Sequence, residues 1–362
     1  MKVLFLTKYP AEGASSRYRV YQYLPYLDAA GIGYRVQPFM ATRAYRAINR
    51  RGGTPLKALH TAWAIARRVA TVLGAGGYDL VFLQRECLPF GAPWLERVLR
   101  RRGIPLIFDY DDALFLFKPS PHTPLADVFK RPHRLLEIFR LADCVLAGND
   151  WLRERAGEHC ADARTFHVAE DLQRYTARTT LRDRSSVVLG WLGSPSTEKY
   201  LELIREPLRA LCHEHDGLRL RIVGGGRFAD TRIAVEHVPW DLDTELAQLH
   251  DFDIGLMPLP LEEWSLGKSG GKARTYMAVG LPAVCTRIGF NCELIRDGET
   301  GFLVREPQEW HQVLQRLIAD PGLRARVGTA ARNAVEARFS LQQQGQRFVE
   351  ILREVAARGR RH

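Results

Sequence analysis

No apolar run in the sequence approaches the roughly 20 residues that a membrane-crossing helix needs. The start, MKVLFLTKYP, is too short and too soon charged for a secretory signal. A cytoplasmic site is the expectation, with attachment at the inner face of a membrane left open. The six cysteines, Cys87, Cys144, Cys160, Cys212, Cys285 and Cys292, are scattered and form no CxxC pair. That argues against a disulfide framework or a zinc site and for reduced thiols. No internal repeat or low-complexity segment appears. Zinc-finger spacing and RNP-like segments are also missing, so nucleic acid is not the expected partner.

What is present is a chain of 362 residues, 46% hydrophobic and 26% charged, as in a soluble globular protein with two domains of ordinary size. The formal charge of +11 and pI near 9.5 favour an anionic partner. Much of the excess lies early, at Arg43, Arg46, Arg50, Arg51, Arg67, Arg68, Arg97, Arg100, Arg101 and Arg102. Acidic lipid or a phosphorylated acceptor would meet such a surface.

The N-terminal half alternates apolar strands with helical runs. Strands are expected at 2–7, 34–38, 79–83, 105–108 and 144–147, and helices at 17–30, 56–73, 94–102 and 134–141. A strand, a small-residue loop with Gly13 and Ala14, and a helix mark the first unit of a doubly wound sheet. That loop suits either a ligand against the backbone or a tight turn. The 56–73 helix carries Leu59, Trp63, Ala66 and Ala70 on one side with Arg67 and Arg68 nearby, a pattern that fits a membrane-surface helix or an ordinary core helix. The fourth strand runs into Asp109, Tyr110, Asp111 and Asp112. Crowded carboxylates at a strand end raise one another's pKa, which suits a general base; a divalent-metal pair of Asp109 and Asp111, or helix and turn capping, are the other readings.

The stretch from His167 has little periodicity and reads as a linker. Strands follow at 187–192, 218–223 and 235–240. After the first of these, Ser194 or Ser196 can cap a helix reaching about His213, with Pro195 in its first turn. The most informative stretch is 251–304, where the buried strand 254–259 leads into Lys268, Ser269, Gly270, Gly271 and Lys272 and then a helix closed by Gly280. A glycine-rich helix start and two lysines four positions apart favour a phosphate or diphosphate; a solvated lysine pair is the plainer reading. The end of the chain from about Glu309 is helical, and 339–356 is amphipathic.

GKSGGKARTYMAVGLPAV followed by ELIRDGETGFLV, together with the Gly13–Ala14 loop and FDYDDALF, resembles the family 4 glycosyltransferases, in particular the branch acting on surface and capsular polysaccharides. The resemblance implies an α/β fold of GT-B architecture, with two Rossmann-like doubly wound parallel-sheet domains facing across a cleft. It divides the chain into an acceptor-side domain at 1–168, a linker at 169–185, a nucleotide-sugar domain at 186–338 and a C-terminal helix at 339–362, with packing of that helix onto the first domain as one option. It implies sugar transfer from a nucleoside-diphosphate sugar to a hydroxyl of a glycan, glycolipid or small molecule, with retention, no cofactor and no metal.

Residue by residue, Asp111 falls where many members have a catalytic histidine, beside Asp112. Lys268 and Lys272 fall in the loop that neutralises the diphosphate. The donor and its phosphates are expected near Gly13, Ala14, Ser194, Thr197, Gly224, Ser269, Gly270, Gly271, Thr275 and Glu293, the nucleobase near Trp240, and the acceptor near Arg17, Arg85 and Asp109. Two departures stand out. Gly267 and Thr275 occupy the positions of a usual glutamate pair, and losing the carboxylate that holds a ribose diol costs about 1–3 kcal/mol. Trp191 or Leu192 replaces a usual arginine. These departures keep open a non-catalytic nucleotide-binding partner or scaffold on the same fold, and a phosphorylase or epimerase is the third reading.

Overall fold

The computed structural model describes residues 1–48, 54–116, 134–178 and 186–359. Arg50 and Arg51 of the basic cluster lie outside these residues, as does 179–185 of the expected linker. The chain divides into two compact units, one of Met1–Val168 with Leu341–His362 and one of Ala169–Ser340.

The first unit holds a parallel sheet of six strands, β1 (Lys2–Thr7), β2 (Gly33–Pro38), β3 (Leu80–Gln84), β4 (Leu106–Tyr110), β5 (Cys144–Ala147) and β6 (Ala163–Thr165), in the order β2-β1-β3-β4-β5-β6. The second holds β7 (Val188–Leu192), β8 (Arg219–Val223), β9 (Val235–Val238), β10 (Ile254–Met257), β11 (Ala283–Thr286) and β12 (Phe302–Val304), in the order β12-β11-β10-β7-β8-β9. Both sheets are wholly parallel. Strands covered on both faces by helices are predominantly apolar, and every residue of β3, β4, β5, β7, β10 and β11 is buried. Strand order reverses between β1 and β3 in one sheet and between β7 and β10 in the other, and ligands of open α/β sheets bind beyond the strand C-termini at such switch points.

Several helices depart from the periodicity. The run expected at 17–30 is split into Ala14–Arg19, a 3-10 turn at Tyr21–Tyr23 and Leu24–Ala29. Pro25 has no N–H to offer the Tyr21 carbonyl, so one continuous helix cannot form. In the second unit a 3-10 segment, Glu198–Ile204, precedes the α-helix Arg205–Glu214, whose Pro207 likewise cannot extend the α pattern backwards. Neither Ser194 nor Ser196 is a cap: Thr197 is the N-cap of the 3-10 segment and Ile204 that of the α-helix, and neither makes a side-chain cap bond. Helix Gly271–Ala278 ends as its sequence specifies. Gly280, at φ +77°, donates to the Met277 carbonyl and Leu281 to that of Tyr276, the paired bonds of a Schellman motif.

Residues 169–178, read as linker, are packed into the second unit. Tyr175 is buried in its core and its hydroxyl donates to Glu245. The last helix, Leu341–Gly359, belongs to the first unit, where Phe348 stacks among Tyr23, Phe82, Phe166 and Phe5 at centroid distances of 4.7, 5.3, 5.5 and 6.2 Å. Among the described residues no helix is long and apolar enough to cross a membrane, and all six cysteines are free thiols.

Helix Thr54–Leu73 presents its apolar stripe outward. Leu59, Trp63 and Leu73 are 66%, 54% and 50% exposed, while the inward side is Ala64, Arg68 and Val72. Arg68 is therefore no part of a basic membrane face. It is fully buried, its Nη2 donates to the carbonyls of Thr7 and Gln37 at 2.7 and 3.2 Å, and burial lowers its pKa to about 10. Arg67 stays on the rim with its guanidinium 4.6 Å from the Trp63 ring. Arg97 and Arg100 are neutralised locally by Glu137 and Asp143.

Candidate functional site

In the second unit, the loop after β7 and the loop before helix Gly271–Ala278 meet at the switch point. Lys272 bridges them: its Nζ lies 3.4 Å from Thr197 Oγ1 and 5.1 Å from the centre of the Trp191 ring. A side chain at Gly193 would come within 2.6 Å of Lys272 Cε, so glycine is what admits the lysine here. Trp191, at the usual arginine position, is buried and supplies a ring face under the cation instead of a second positive charge. Lys268 rests over Trp264, 3.7 Å from the ring centre, and Trp264 is 6.0 Å from Tyr200, just beyond Thr197. Lys272 thus reaches the 193–197 loop directly, whereas Lys268 faces it through Trp264.

The Gly/Lys loop has two different glycines. Gly270 is the helix N-cap at φ +63°, and a Cβ there would sit 2.8 Å from Phe290. Gly271 opens onto empty space, with nothing within 4 Å of where its Cβ would be. The N–H groups of a first helical turn have no acceptor within the helix. Together with Lys272 they give this end of the helix a positive character that suits an anion. Glu293 is exposed on the short helix Asn291–Leu294, whose Leu294 packs, with Phe290, beneath Gly270.

Two residues expected on the donor side have polar groups engaged within the unit. Gly224, at φ +84°, donates its N–H to Val238 and lies so near the Gly193 carbonyl that a Cβ would stand 2.4 Å from it, so close packing requires glycine here and its N–H is already engaged. Thr275 is buried, with Oγ1 3.0 Å from the Gly271 carbonyl and 3.3 Å from Glu170 Oε1, and so its hydroxyl is engaged inside the unit. Trp240 is 40% exposed and its indole N–H donates to Glu245. Sequence reasoning missed Glu198. This buried carboxylate accepts the N–H groups of Gly226, Arg227 and Phe228 at 2.8, 2.9 and 2.9 Å, so the triple-glycine turn after β8 is wrapped around it. Burial alone would raise the Glu198 pKa, but these amides bring it below the ordinary value.

In the first unit the corresponding edge carries a connected polar set. Gln84, buried at the end of β3, donates to Ser15 Oγ at 2.9 Å and accepts from Ser16 Oγ at 2.8 Å and from the Lys8 N–H at 3.1 Å. Ser15 Oγ in turn lies 3.2 and 3.3 Å from the two Asp111 oxygens. Arg85, just past Gln84, holds φ +63°, an uncommon conformation for a side-chain-bearing residue, and reaches Asp112 at 3.5 Å. Its net charge is reinforced: burial works against it, but Asp112 and Asp111 raise its pKa overall.

Asp109 does not join this set. It is fully buried and forms a bidentate pair with Arg19, whose Nε lies 3.1 and 3.0 Å from the two oxygens, so it cannot touch an acceptor or share a metal with Asp111. Burial pushes its carboxyl up to about 6 against the pull of Arg19. At Gly13 a Cβ would lie 2.4 Å from that of Tyr9, so packing against Tyr9 requires glycine there. Ala14 is exposed at the start of the following helix, and Arg17 donates to the Glu12 carbonyl at 3.4 Å. Nothing in the local sequence announces Arg19, Ser15 or Gln84, because each meets its partner 68 residues or more along the chain.

Comparison with known proteins agrees with this architecture. Residues 186–320 match the family model described as glycosyl transferases group 1. No match is found among curated protein sequences. Among solved structures, the chain is similar to HepE of Anabaena in complex with UDP and glucose, at 18% identity and TM-score 0.66, covering 97% of this chain and 99% of that one. It is similar to a glycosyltransferase from Rickettsia africae at 14% identity and TM-score 0.70, covering 98% of each chain. Sucrose-phosphate synthase from Thermosynechococcus elongatus aligns at 16% identity and TM-score 0.69, over 99% of each. The fold is that of the GT-B glycosyltransferase structures: two Rossmann-like units, each a doubly wound parallel sheet of six strands.

Proposed function

We propose that this protein is a glycosyltransferase that moves a sugar from a nucleoside-diphosphate sugar to a hydroxyl of a glycan, glycolipid or small-molecule acceptor. The observation that carries the reading is Lys272, seated against the 193–197 loop at the open, glycine-lined start of its helix. The family match over the second unit and the UDP held by the similar HepE structures support it. The lysines and loop amides stabilise the charge that develops on the departing diphosphate, a preorganised electrostatic effect. Asp111, oriented by Ser15, is the group on the first unit that directs the acceptor hydroxyl or stabilises the positive sugar carbon.

The proposal extends to retention at the anomeric centre and to donor binding without a metal, since the lysines supply the positive charge. It also extends to a cytoplasmic location, with the outward Leu59–Trp63–Leu73 stripe and Arg67 touching an anionic membrane. The test is release of nucleoside diphosphate from a panel of donors with and without acceptors, in EDTA, with NMR of the product's anomeric proton. Acceptor-dependent release with a retained configuration is the expected result. Nucleotide binding without turnover on any acceptor would favour the scaffold reading, which the engaged hydroxyl of Thr275 motivates.

A further inference from the structure

Glu170 and Arg274 form a buried ion pair next to the Gly/Lys loop. Their side chains are each 1% exposed, and Arg274 Nε donates to Glu170 Oε1 at 3.1 Å. The same guanidinium donates from Nη1 to the Ser269 carbonyl at 2.8 Å. Thr275 Oγ1 lies between the Gly271 carbonyl and Glu170 Oε1, at 3.0 and 3.3 Å. Glu170 is itself fixed by its N–H, which donates to the Phe339 carbonyl at 2.8 Å, and by a backbone bridge to Ser340. Its second oxygen, Oε2, is buried with no hydrogen-bond partner. A buried carboxylate half satisfied in this way is a poor device for stability alone.

The pair acts on the geometry of the Gly/Lys loop. A trans peptide is planar, so its C=O and N–H point in opposite directions. Drawing the Ser269 carbonyl inward onto Arg274 turns the Gly270 N–H outward. Holding the Gly271 carbonyl inward, where Thr275 also reaches it, does the same for the Lys272 N–H. Between the two pinned peptides sits Gly270 in its left-handed conformation.

We infer that Glu170 and Arg274 are positioning residues that hold the Ser269–Gly271 backbone so that its N–H groups and Lys272 converge on the diphosphate of the donor. The inference rests on the nucleotide-sugar reading of the site. Neither residue touches the ligand; each acts through the loop.

The test compares Glu170→Gln, which keeps the shape and removes the charge, Arg274→Met, and the double variant. Two quantities are read on folded protein: amide hydrogen exchange at Gly270–Lys272 without nucleotide, and affinity for UDP, GDP, ADP and TDP by calorimetry. Each single variant should speed loop exchange and weaken the preferred nucleotide about tenfold, raising donor KM while kcat at saturation is kept. The double variant should be no weaker than Arg274→Met, because the pair works as a unit. Should Arg274→Met fail to fold, Glu170→Gln and Thr275→Val carry the test. A wild type that binds nucleotide beside a folded Glu170→Gln with unchanged affinity and loop exchange overturns the inference alone. A wild type that binds none of the four overturns the donor reading, and the inference with it.

Discussion

Glu198 offers the sharpest perturbation of the second unit that leaves the lysines alone. Its carboxylate is 1% exposed and receives three consecutive backbone N–H groups, two of them from residues flanking Arg227. A hydrogen bond to a charged group contributes about 1.5–3 kcal/mol. The three donors share one carboxylate and the loop lies near solvent, so Glu198→Ala is expected to cost about 4 kcal/mol rather than the full sum. In a unit of this size that lowers Tm by roughly 8–16 °C. Glu198→Gln keeps one acceptor oxygen without the charge and should lose about half as much. The pH dependence follows from the lowered pKa. The carboxylate's contribution is present above the ordinary value of 4.5 and lost as pH falls through the folded-state value, so wild type and Glu198→Gln should converge in acid. Chemical denaturation from about pH 2 to pH 8 measures both effects. A Glu198→Ala protein within about 1 kcal/mol of wild type at pH 7 would refute the wrapped-loop account.

Other consequences can be checked in the same preparations. Arg19→Met should destabilise the first unit by about 3–5 kcal/mol by stranding the Asp109 charge, and Arg19→Met with Asp109→Leu should recover much of that loss in a denaturation series. Asp111→Asn should lower kcat by about 100-fold or more while donor affinity measured by calorimetry holds. Replacing Leu59 and Trp63 by serine should leave stability within about 0.5 kcal/mol, because both side chains face outward, yet reduce co-sedimentation with phosphatidylglycerol vesicles.

Short-range features of the fold were legible in the sequence. Apolar runs marked the buried strands β1, β3, β5, β7 and β10, and Gly280 marked the end of its helix, because these depend on burial and on one residue's backbone freedom. Proline effects are equally local: Pro25 and Pro207 interrupt the α pattern, so the helices are shorter than the helical periodicity running through them. Strands β6 and β12, three residues each, carry too little pattern to be seen. The candidate site divides in the same way. Lys272 and the glycines before it announce a helix start, but only the fold brings Lys272 to Thr197, 75 residues away. Asp109 looked like its acidic neighbours in the sequence and is distinguished only by Arg19, 90 residues earlier. Glu198 and Glu170 were hidden because a carboxylate that serves distant backbone or a distant guanidinium leaves no local signature.

The measurement that bears most directly on the central claim is calorimetric titration with UDP, GDP, ADP and TDP, with and without EDTA, repeated on Lys272→Ala. Micromolar binding of one nucleotide, unchanged by EDTA and weakened about 10–100-fold by the substitution, is the predicted result, since one charge-assisted contact is lost. Absence of binding by all four, or binding that Lys272→Ala leaves intact, would contradict it.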